Sequence, residues 1–344
     1  CICSIYYLFT ISIYCKHLWW PNHKLYILPI LMKKFLIKIS LSVIILYGLA
    51  WVLDYMVSKG IYRMEDYRFM SWSEVGTGDI NADVLILGNS RALSHFEPWT
   101  IDSITGMSCY NLGLGGYPIN VELMKYNYYR HHNRKPSLIV FQADYMTIKC
   151  LTAPHQHQSE QFLPLIYDRP MHDELRNVGY NWLDLHCPMY RYWGYQMTLV
   201  KGLTEYLGIK HHIDRPTRMG LFYETDPWDG TELAKMDTIH AVLDEEGRRI
   251  FEGWMARCAE EGVNVLLVNS PMYKGATDKL VGEDVVNAYF DSIANIYHTE
   301  YWNYTENYEL CNDTANFVVS VHMNPQATHQ FSIDFANRLN EYSK

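Results

Sequence analysis

The chain has 344 residues, with 29 lysines and arginines against 38 aspartates and glutamates, a formal net charge of −9. Proteins that bind nucleic acids usually present a basic face, so this charge argues against a nucleic-acid partner. Hydrophobic residues make up 49% of the chain and charged residues 19%, a balance that excludes a disordered protein. Eight cysteines are too few for a disulfide scaffold at this length.

Residues 32–58 have the pattern of a membrane signal anchor. Met32 and two lysines precede about 19 largely apolar residues ending at Leu53, close to the number that spans a hydrocarbon core. The basic flank favours a cytoplasmic N-terminus, and no small-residue cleavage site follows the apolar run. We therefore predict a single-pass membrane protein with residues 59–344 on the periplasmic side; a cleaved signal peptide is the alternative. Residues 1–31 are interpreted as a non-native or mis-called leader.

From Asp83 onward, short apolar runs alternate with helical patterns. The predicted strands are Val84–Leu87, Ser108–Leu112, Leu138–Phe141 and Val263–Val268. The predicted helices are Asn120–His132, a long one over about Leu233–Glu261, Asp284–Ala294 and Gln326–Tyr342. Strands that alternate with helices indicate an α/β fold with a parallel sheet covered on both faces.

Between about residues 151 and 231 the strand pattern stops, and the chain becomes rich in tyrosine, tryptophan, histidine and proline. This composition predicts a mostly helical insertion between the third and fourth strands. Long insertions of this kind often shape an active site. A packing subdomain without substrate contact is the equally weighted alternative.

The first predicted strand ends in Gly88-Asn89-Ser90-Arg91, and a helical pattern follows from Ala92. In open α/β sheets, ligands bind at the carboxyl ends of the strands. A serine on this turn has an exposed hydroxyl, and its backbone N–H lies where a developing negative charge is stabilised. Ser90 is therefore a candidate nucleophile; an ordinary helix N-cap is the structural alternative.

The next two strand ends also carry candidate site residues. Glycines at positions 113, 115 and 116 follow the second strand and would let backbone N–H groups approach a ligand, unless they form only a flexible turn. Gln142 and Asp144 follow the third strand and place polar groups at the same edge.

His322 precedes Asn324 and Pro325, a plausible N-cap and first residue of the closing helix. This position places the imidazole on the loop that leads into that helix. A histidine there is a candidate general base, and a purely structural histidine is the alternative.

Together, these four segments resemble the SGNH, or GDSL-like, hydrolase superfamily over about residues 82–339. The Gly-Asn-Ser-Arg form resembles the membrane-anchored branch near bacterial surface-polysaccharide acetylation proteins. The resemblance implies a three-layer, flavodoxin-like parallel sheet with Ser90 as nucleophile and His322 as base. The backbone N–H groups of Ser90 and of Gly115 or Gly113 would then form the oxyanion hole.

Members of the superfamily share several short sequence blocks, and Gly88–Arg91 resembles the first of them. This resemblance further implies that Asn89 and Arg91 contact substrate. Its third block normally supplies an asparagine side chain to the oxyanion hole, and this chain has Gln142 and Asp144 there instead. An ionised Asp144 would repel an oxyanion, so Gln142 is the better donor chemically.

The last block normally has an aspartate three residues before the histidine, where this chain has Val319. An acid at that position orients the imidazole and stabilises the imidazolium. Asp313 is the nearest candidate in sequence for this role, and Asn316 could orient the ring without charge.

The resemblance, together with the predicted anchor, implies a membrane-tethered, extracytoplasmic serine esterase or acyltransferase acting on ester groups, above all acetyl groups, of cell-envelope glycans. Small acyl esters are alternative substrates, and the envelope polysaccharide machinery is the implied partner. A catalytically inactive SGNH-fold protein that binds or assembles glycans is the main alternative, and a structural envelope protein is another.

We expect neither a metal nor another cofactor. The histidine pairs 155/157 and 211/212 have no acid or cysteine at ligand spacing. Residues 113–116 lack the full dinucleotide-binding fingerprint.

Overall fold

The computed structural model describes residues 24–149, 160–209, 217–306 and 308–342, with side chains from residue 32. The chain divides into two compact units, residues 1–53 and 54–344. The described part of the first unit is helical, and the stretch Met32–Ile61 is long and apolar enough to cross a membrane by length and composition. The second unit begins at Asp54, four residues earlier than the end of the anchor predicted from sequence.

The strands are β1 (Val84–Leu87), β2 (Cys109–Asn111), β3 (Leu138–Gln142), β4 (Ile239–His240), β5 (Asn264–Asn269), β6 (Leu280–Val281), β7 (Tyr301–Asn303), β8 (Phe317–Val319) and β9 (His322–Met323). The helices are α1 (Lys24–Ile61), α2 (Tyr67–Thr77), α3 (Ser90–His95), α4 (Pro98–Thr105), α5 (Ile119–His132), α6 (His172–Asn177), α7 (Trp182–His186), α8 (Gln196–Tyr206), α9 (Thr231–Lys235), α10 (Glu245–Glu260), α11 (Lys274–Thr277), α12 (Glu283–Ile296) and α13 (Pro325–Tyr342).

The central sheet has five parallel strands in the order β2-β1-β3-β5-β7. Strands β1 and β3 are buried along their whole length, as expected for strands covered on both faces. The strand order reverses on either side of β1, so the connections after β1 and after β3 leave the sheet in opposite directions. Such a switch point creates a crevice at the carboxyl ends of the strands.

Two helical layers cover the sheet. On one face, α3, α4 and α13 bury an apolar core that includes Phe96, Phe331 and Phe335. On the other face, the ring of Phe141 in β3 packs 5.1 Å from Phe251 and from Trp254 of α10, measured between ring centroids. The chain is therefore an α/β protein with a parallel sheet, as the alternating pattern predicted.

The prediction of a single long helix over Leu233–Glu261 is wrong. The chain forms α9, then the two-residue strand β4, then α10. Strand β4 pairs with β6, which takes the segment out of the helix. The carboxylate of Asp244 accepts the N–H of Gly247 at 2.6 Å and so caps a new helix. The sheet also contains a fifth strand, β7, that the apolar pattern did not reveal.

The described parts of the insertion consist of short helices over residues 160–206 and an irregular segment over 217–230, and the helices pack on the last turns of α1. Arg191 and Asp54 form an ion pair at 2.5 Å, and both side chains are fully buried. A further hydrogen bond of 2.7 Å joins the hydroxyls of Ser58 and Tyr192. These contacts make residues 54–61 of α1 part of the folded domain.

Candidate active site

Ser90 and His322 are 232 residues apart in sequence and lie in hydrogen-bond contact, with 2.8 Å between Oγ and Nε2. Ser90 is the first residue of α3, directly after the carboxyl end of β1. His322 lies in β9, whose short antiparallel pairing with β8 forms a hairpin before α13. The fold thus brings together the serine and the histidine on which the sequence interpretation depends.

The turn before Ser90 requires its particular residues. Gly88 has a φ of +135°, and a Cβ there would lie 2.7 Å from the Cβ of Gln142. The side-chain oxygen of Asn89 accepts the N–H of Arg91 at 2.9 Å. Asn89 is therefore the N-cap of α3, and this leaves the Ser90 hydroxyl free of the capping role.

The acid at the other nitrogen of the imidazole is Glu224, in the insertion. Its Oε1 lies 2.9 Å from Nδ1 of His322, an ion-pair distance without an aligned hydrogen bond. The side chain of His322 is 14% exposed and that of Glu224 is 33% exposed. Catalytic hydrogen bonds are often poorly aligned before substrate binds, so this geometry is compatible with an orienting acid.

Asp313 does not occupy the orienting position expected from its place in the sequence. Its carboxylate accepts the N–H of Ala315 at 2.8 Å and caps a short 3₁₀ helix. Asn316 donates its side-chain amide to the carbonyl of Leu310 at 3.0 Å. Within the described chain, neither residue has a hydrogen bond or an ion pair with His322, because local turns hold both side chains.

The two glycines proposed for the oxyanion hole have different roles. The N–H of Gly113 donates to the side-chain oxygen of Asn111 at 2.8 Å, and a Cβ there would lie 2.2 Å from the backbone nitrogen of Leu93. Gly113 therefore allows the loop to pack against α3. A Cβ on Gly115 would lie 3.5 Å from Cβ of Ser90, so Gly115 is the glycine beside Ser90.

Asp144 and Gln142 belong to a buried network. The carboxylate of Asp144 accepts hydrogen bonds from the amides of Asn89 at 3.0 Å and Gln142 at 2.9 Å, and forms a 3.0 Å ion pair with Arg91. The side-chain oxygen of Gln142 accepts the backbone N–H of Ser270 at 3.2 Å. The amide of Gln142 is thus committed to Asp144, and this arrangement does not support the expected oxyanion role of either side chain.

Asn89 and Arg91 were expected to contact substrate, but both side chains are buried. Asn89 is 6% exposed and Arg91 is 3% exposed. Asn89 binds Asp144, and the guanidinium of Arg91 reaches both Asp144 and the carbonyl of Ser270. Buried polar groups need internal hydrogen-bond partners, and both side chains find theirs at the ends of neighbouring strands. Their presence in the motif is therefore explained by a structural role.

His95 is a second buried histidine, behind the site, that the sequence analysis did not identify. Its Nε2 accepts the backbone N–H of Met323 at 3.1 Å, so the proton is on Nδ1, which lies 2.8 Å from the hydroxyl of Ser270. Burial, together with the nearby Arg91 and His322, lowers the pKa of His95 well below 6.5. A neutral His95 therefore holds the residue that follows His322.

Lys125 of α5 supports the glycine loop from below. It is 1% exposed, and its ammonium group donates to the hydroxyl of Ser71 at 2.8 Å and to the carbonyl of Gly113 at 3.2 Å. Burial lowers the pKa of this side chain to about 7. The helical pattern of α5 marks the segment but gives no sign that a lysine in it is buried.

Ser90, His322 and Gly115 open onto a cavity of about 1030 Å³. Its walls also include four aromatic side chains and a cation, namely Tyr67, Trp99, Phe222, Tyr223 and Arg218. The guanidinium of Arg218 lies 4.1 Å from the ring centroid of Trp99. The volume is at the upper end of the range for small-molecule sites, and much of the wall comes from the insertion.

The described residues contain no cluster of three or more histidine, cysteine, aspartate or glutamate side chains that could hold a metal. The two histidine pairs considered from sequence, 155/157 and 211/212, lie outside the described residues.

We expect Gly113→Ala to lower the free energy of unfolding by about 1–3 kcal/mol, because the added methyl group would overlap the backbone of α3. Gly115→Ala is the matched control, since its methyl group meets only ordinary contacts. Urea unfolding of the full-length protein in detergent measures both. Equal stability of the two variants would contradict the close approach at Gly113.

We expect His95 to make the free energy of unfolding fall with pH below about 6.5, by up to about 1.4 kcal/mol per pH unit. The unfolded histidine takes up a proton in that range, whereas the folded one, with its lowered pKa, stays neutral. Urea unfolding at about pH 7.5 and 5.5 should show a smaller pH dependence in His95→Gln than in the wild type. The same dependence in both proteins would contradict a neutral buried His95.

Comparison of the chain with family models, with curated proteins and with solved structures gives no match. A functional interpretation therefore depends on the geometry of the site and on the motifs in the sequence.

Proposed function

We propose that this chain is a membrane-tethered serine hydrolase of the SGNH type that acts on ester groups by covalent acyl transfer. The observation that carries the proposal is the 2.8 Å contact between Ser90 Oγ and His322 Nε2 at the cavity wall. Glu224, at the opposite nitrogen of the same imidazole, completes a serine–histidine–acid arrangement. Such arrangements are identified by geometry and roles rather than by order in the sequence.

In the first half of the reaction, Ser90 Oγ attacks the ester carbonyl carbon and His322 Nε2 takes the hydroxyl proton. This role requires Nδ1 to carry the other ring proton, and the Glu224 carboxylate lies 2.9 Å from that nitrogen. The imidazolium formed is stabilised by the negative charge of Glu224. The backbone N–H groups of Ser90 and Gly115 are the candidate donors to the oxyanion.

His322 then gives its proton to the departing alcohol oxygen, and the acyl group remains bonded to Ser90. In the second half, a water or a sugar hydroxyl attacks the acyl-enzyme while His322 takes its proton. The Ser90 ester bond breaks, and Ser90 recovers the proton from His322. Water gives the free acid, so the protein acts as an esterase; a sugar hydroxyl gives a new ester, so it acts as an acyltransferase.

We propose acetyl esters of cell-envelope glycans as the substrate class. The resemblance of Gly88–Arg91 to the polysaccharide-acetylation branch supports this, and so does the aromatic wall of the cavity, since sugar rings stack on aromatic faces. The apolar stretch of α1 supports a membrane tether, with the hydrolase domain on the periplasmic side and the envelope polysaccharide machinery as its partner.

One observation favours a glycan-binding protein without catalysis. The side-chain amide of Gln142, in the position where the superfamily uses an asparagine donor, is bonded to Asp144. A site with only backbone donors would have less stabilisation of the oxyanion, since removal of one donor can cost about 10²–10³ in kcat. The labelling experiment below separates the two functions.

We expect a fluorophosphonate probe to label the full-length protein in detergent at Ser90. Labelling should disappear in Ser90→Ala, which lacks the nucleophile, and should fall strongly in His322→Ala, which lacks the base. Ser94→Ala is the matched control, because Ser94 is buried on the same helix and its hydroxyl donates to the carbonyl of Ser90. A folded wild-type protein without labelling would refute the hydrolase and leave the binding protein.

We expect Glu224→Gln to slow hydrolysis of p-nitrophenyl acetate, with Asp313→Asn as the matched control. Loss of the orienting acid costs about 10⁴ in kcat in a serine protease; we expect a smaller loss here, because Glu224 is 33% exposed. Asp313→Asn should retain the wild-type rate, since the Asp313 carboxylate caps a short 3₁₀ helix and has no hydrogen bond or ion pair with His322 among the described residues. A slower rate in Asp313→Asn with a wild-type rate in Glu224→Gln would show that Asp313, and not Glu224, orients His322.

A further inference from the structure

We propose that an aromatic patch beside the start of the folded domain lies in the interfacial layer of the membrane and holds the hydrolase domain against the bilayer. The patch consists of Tyr55, Tyr167, Tyr190, Trp193 and Met197. The inference rests on the membrane tether in the proposed function and concerns the orientation of the domain.

The five patch residues are unusually exposed for their size. Trp193 is 89% exposed and Met197 is 71% exposed, while Tyr55, Tyr167 and Tyr190 are between 40% and 46% exposed. Scattered apolar residues on a surface need no explanation, but a contiguous group marks an interaction site. Tyrosine and tryptophan in particular are enriched where a membrane protein crosses the boundary between lipid and water.

Contacts around Asp54 bring the patch together. The hydroxyl of Tyr167 donates to the carboxylate of Asp54 at 2.6 Å, and the Tyr167 ring lies 5.6 Å from that of Tyr55. The same carboxylate accepts the backbone N–H of Met189 at 2.6 Å and pairs with Arg191. Tyr190 lies between these last two residues in sequence, so the three tyrosines of the patch lie around one buried carboxylate.

Asp54 is also the residue at which the apolar stretch enters the domain. The chain runs from Leu53 directly into Asp54 within one helix, so lipid surrounding the apolar stretch would end near this residue. The continuity of the chain thus argues for a lipid interface as the occupant of the patch.

The direction of α8 places Met197 and Trp193 at the same end. A Cβ on Gly202 would lie 2.7 Å from the carbonyl of Val57, and one on Gly60 would lie 2.9 Å from the nitrogen of Tyr206. Further along, Arg63 donates to the carbonyl of Tyr206 at 3.1 Å. Helix α8 therefore runs alongside α1 in the same direction, and its first turn lies toward Asp54.

Charge near the patch suits a membrane surface. The ammonium group of Lys59 lies 5.7 Å from the ring centroid of Tyr55, and the exposed Arg169 follows Tyr167 by two residues. Basic residues beside an apolar patch add attraction to anionic headgroups. The partner of the patch in this proposal is therefore a bilayer that contains anionic lipid.

The test uses the full-length protein reconstituted in vesicles of phosphatidylcholine and phosphatidylglycerol. Trp193→Cys, Met197→Cys and the control Leu207→Cys are each labelled with an environment-sensitive fluorophore, and labelling of the parent protein is subtracted. Leu207 is a matched control because it is 60% exposed and follows the opposite end of α8. Lipids with a nitroxide near the headgroup then quench any label that lies in the interface.

We expect several-fold stronger quenching at positions 193 and 197 than at position 207. Equal quenching at all three positions, in protein that floats with the vesicles after an alkaline wash, would overturn the docking while leaving the tether. Protein that does not float would overturn the tether and this inference together. Fluorophosphonate labelling of Ser90 in the same vesicles reports on the hydrolase separately, so the two failures are distinguishable.

Discussion

The site depends on one buried carboxylate. Asp144, at the carboxyl end of β3, binds the cap of α3 through Asn89 and pairs with Arg91. An ionised carboxylate in the interior is tolerated only when hydrogen bonds and an opposite charge satisfy it. Those partners join the ends of β1 and β3, and Arg91 extends the connection to the carbonyl of Ser270 after β5. From Ser270 the network continues through His95 to the hairpin that carries His322. The 2.8 Å contact between Ser90 and His322 completes this hydrogen-bond network.

The polar residues of the Gly88–Arg91 motif therefore have different positions and roles. Ser90 alone faces the cavity, while Asn89 and Arg91 face inward and hold the turn. A polar residue next to a reactive one is easily taken for a substrate contact, since a sequence does not show burial. A polar group that is buried without a partner costs free energy. The internal hydrogen bonds of Asn89 and Arg91 therefore explain these two residues better than substrate recognition does. Gln142 follows the same logic, because both ends of its amide have internal partners.

Much of the fold could be predicted because buried parallel strands appear as continuous apolar runs. Strand β7 escaped this pattern, since it has three residues and only Trp302 among them is buried. The helix predicted over 233–261 failed because periodicity does not register a cap, and Asp244 begins a new helix. At the site, Ser90 and Gly115 follow recognisable strand ends, and His322 precedes a recognisable helix start. Glu224 could not be found in this way, because it comes from an irregular segment whose position depends on tertiary contacts alone.

In the proposed hydrolase, the position of Glu224 in the insertion links the shape of the cavity to the orientation of the base. Eight residues of the segment 217–226 line the cavity, and the same segment carries the acid beside His322. Under this proposal, a change in the segment that adapts the cavity to a different ester would also move the carboxylate beside His322. Exchange of the insertion between related proteins would thus transfer part of the proton-transfer machinery along with the substrate pocket. Substrate selectivity and turnover rate would therefore change together when this segment changes.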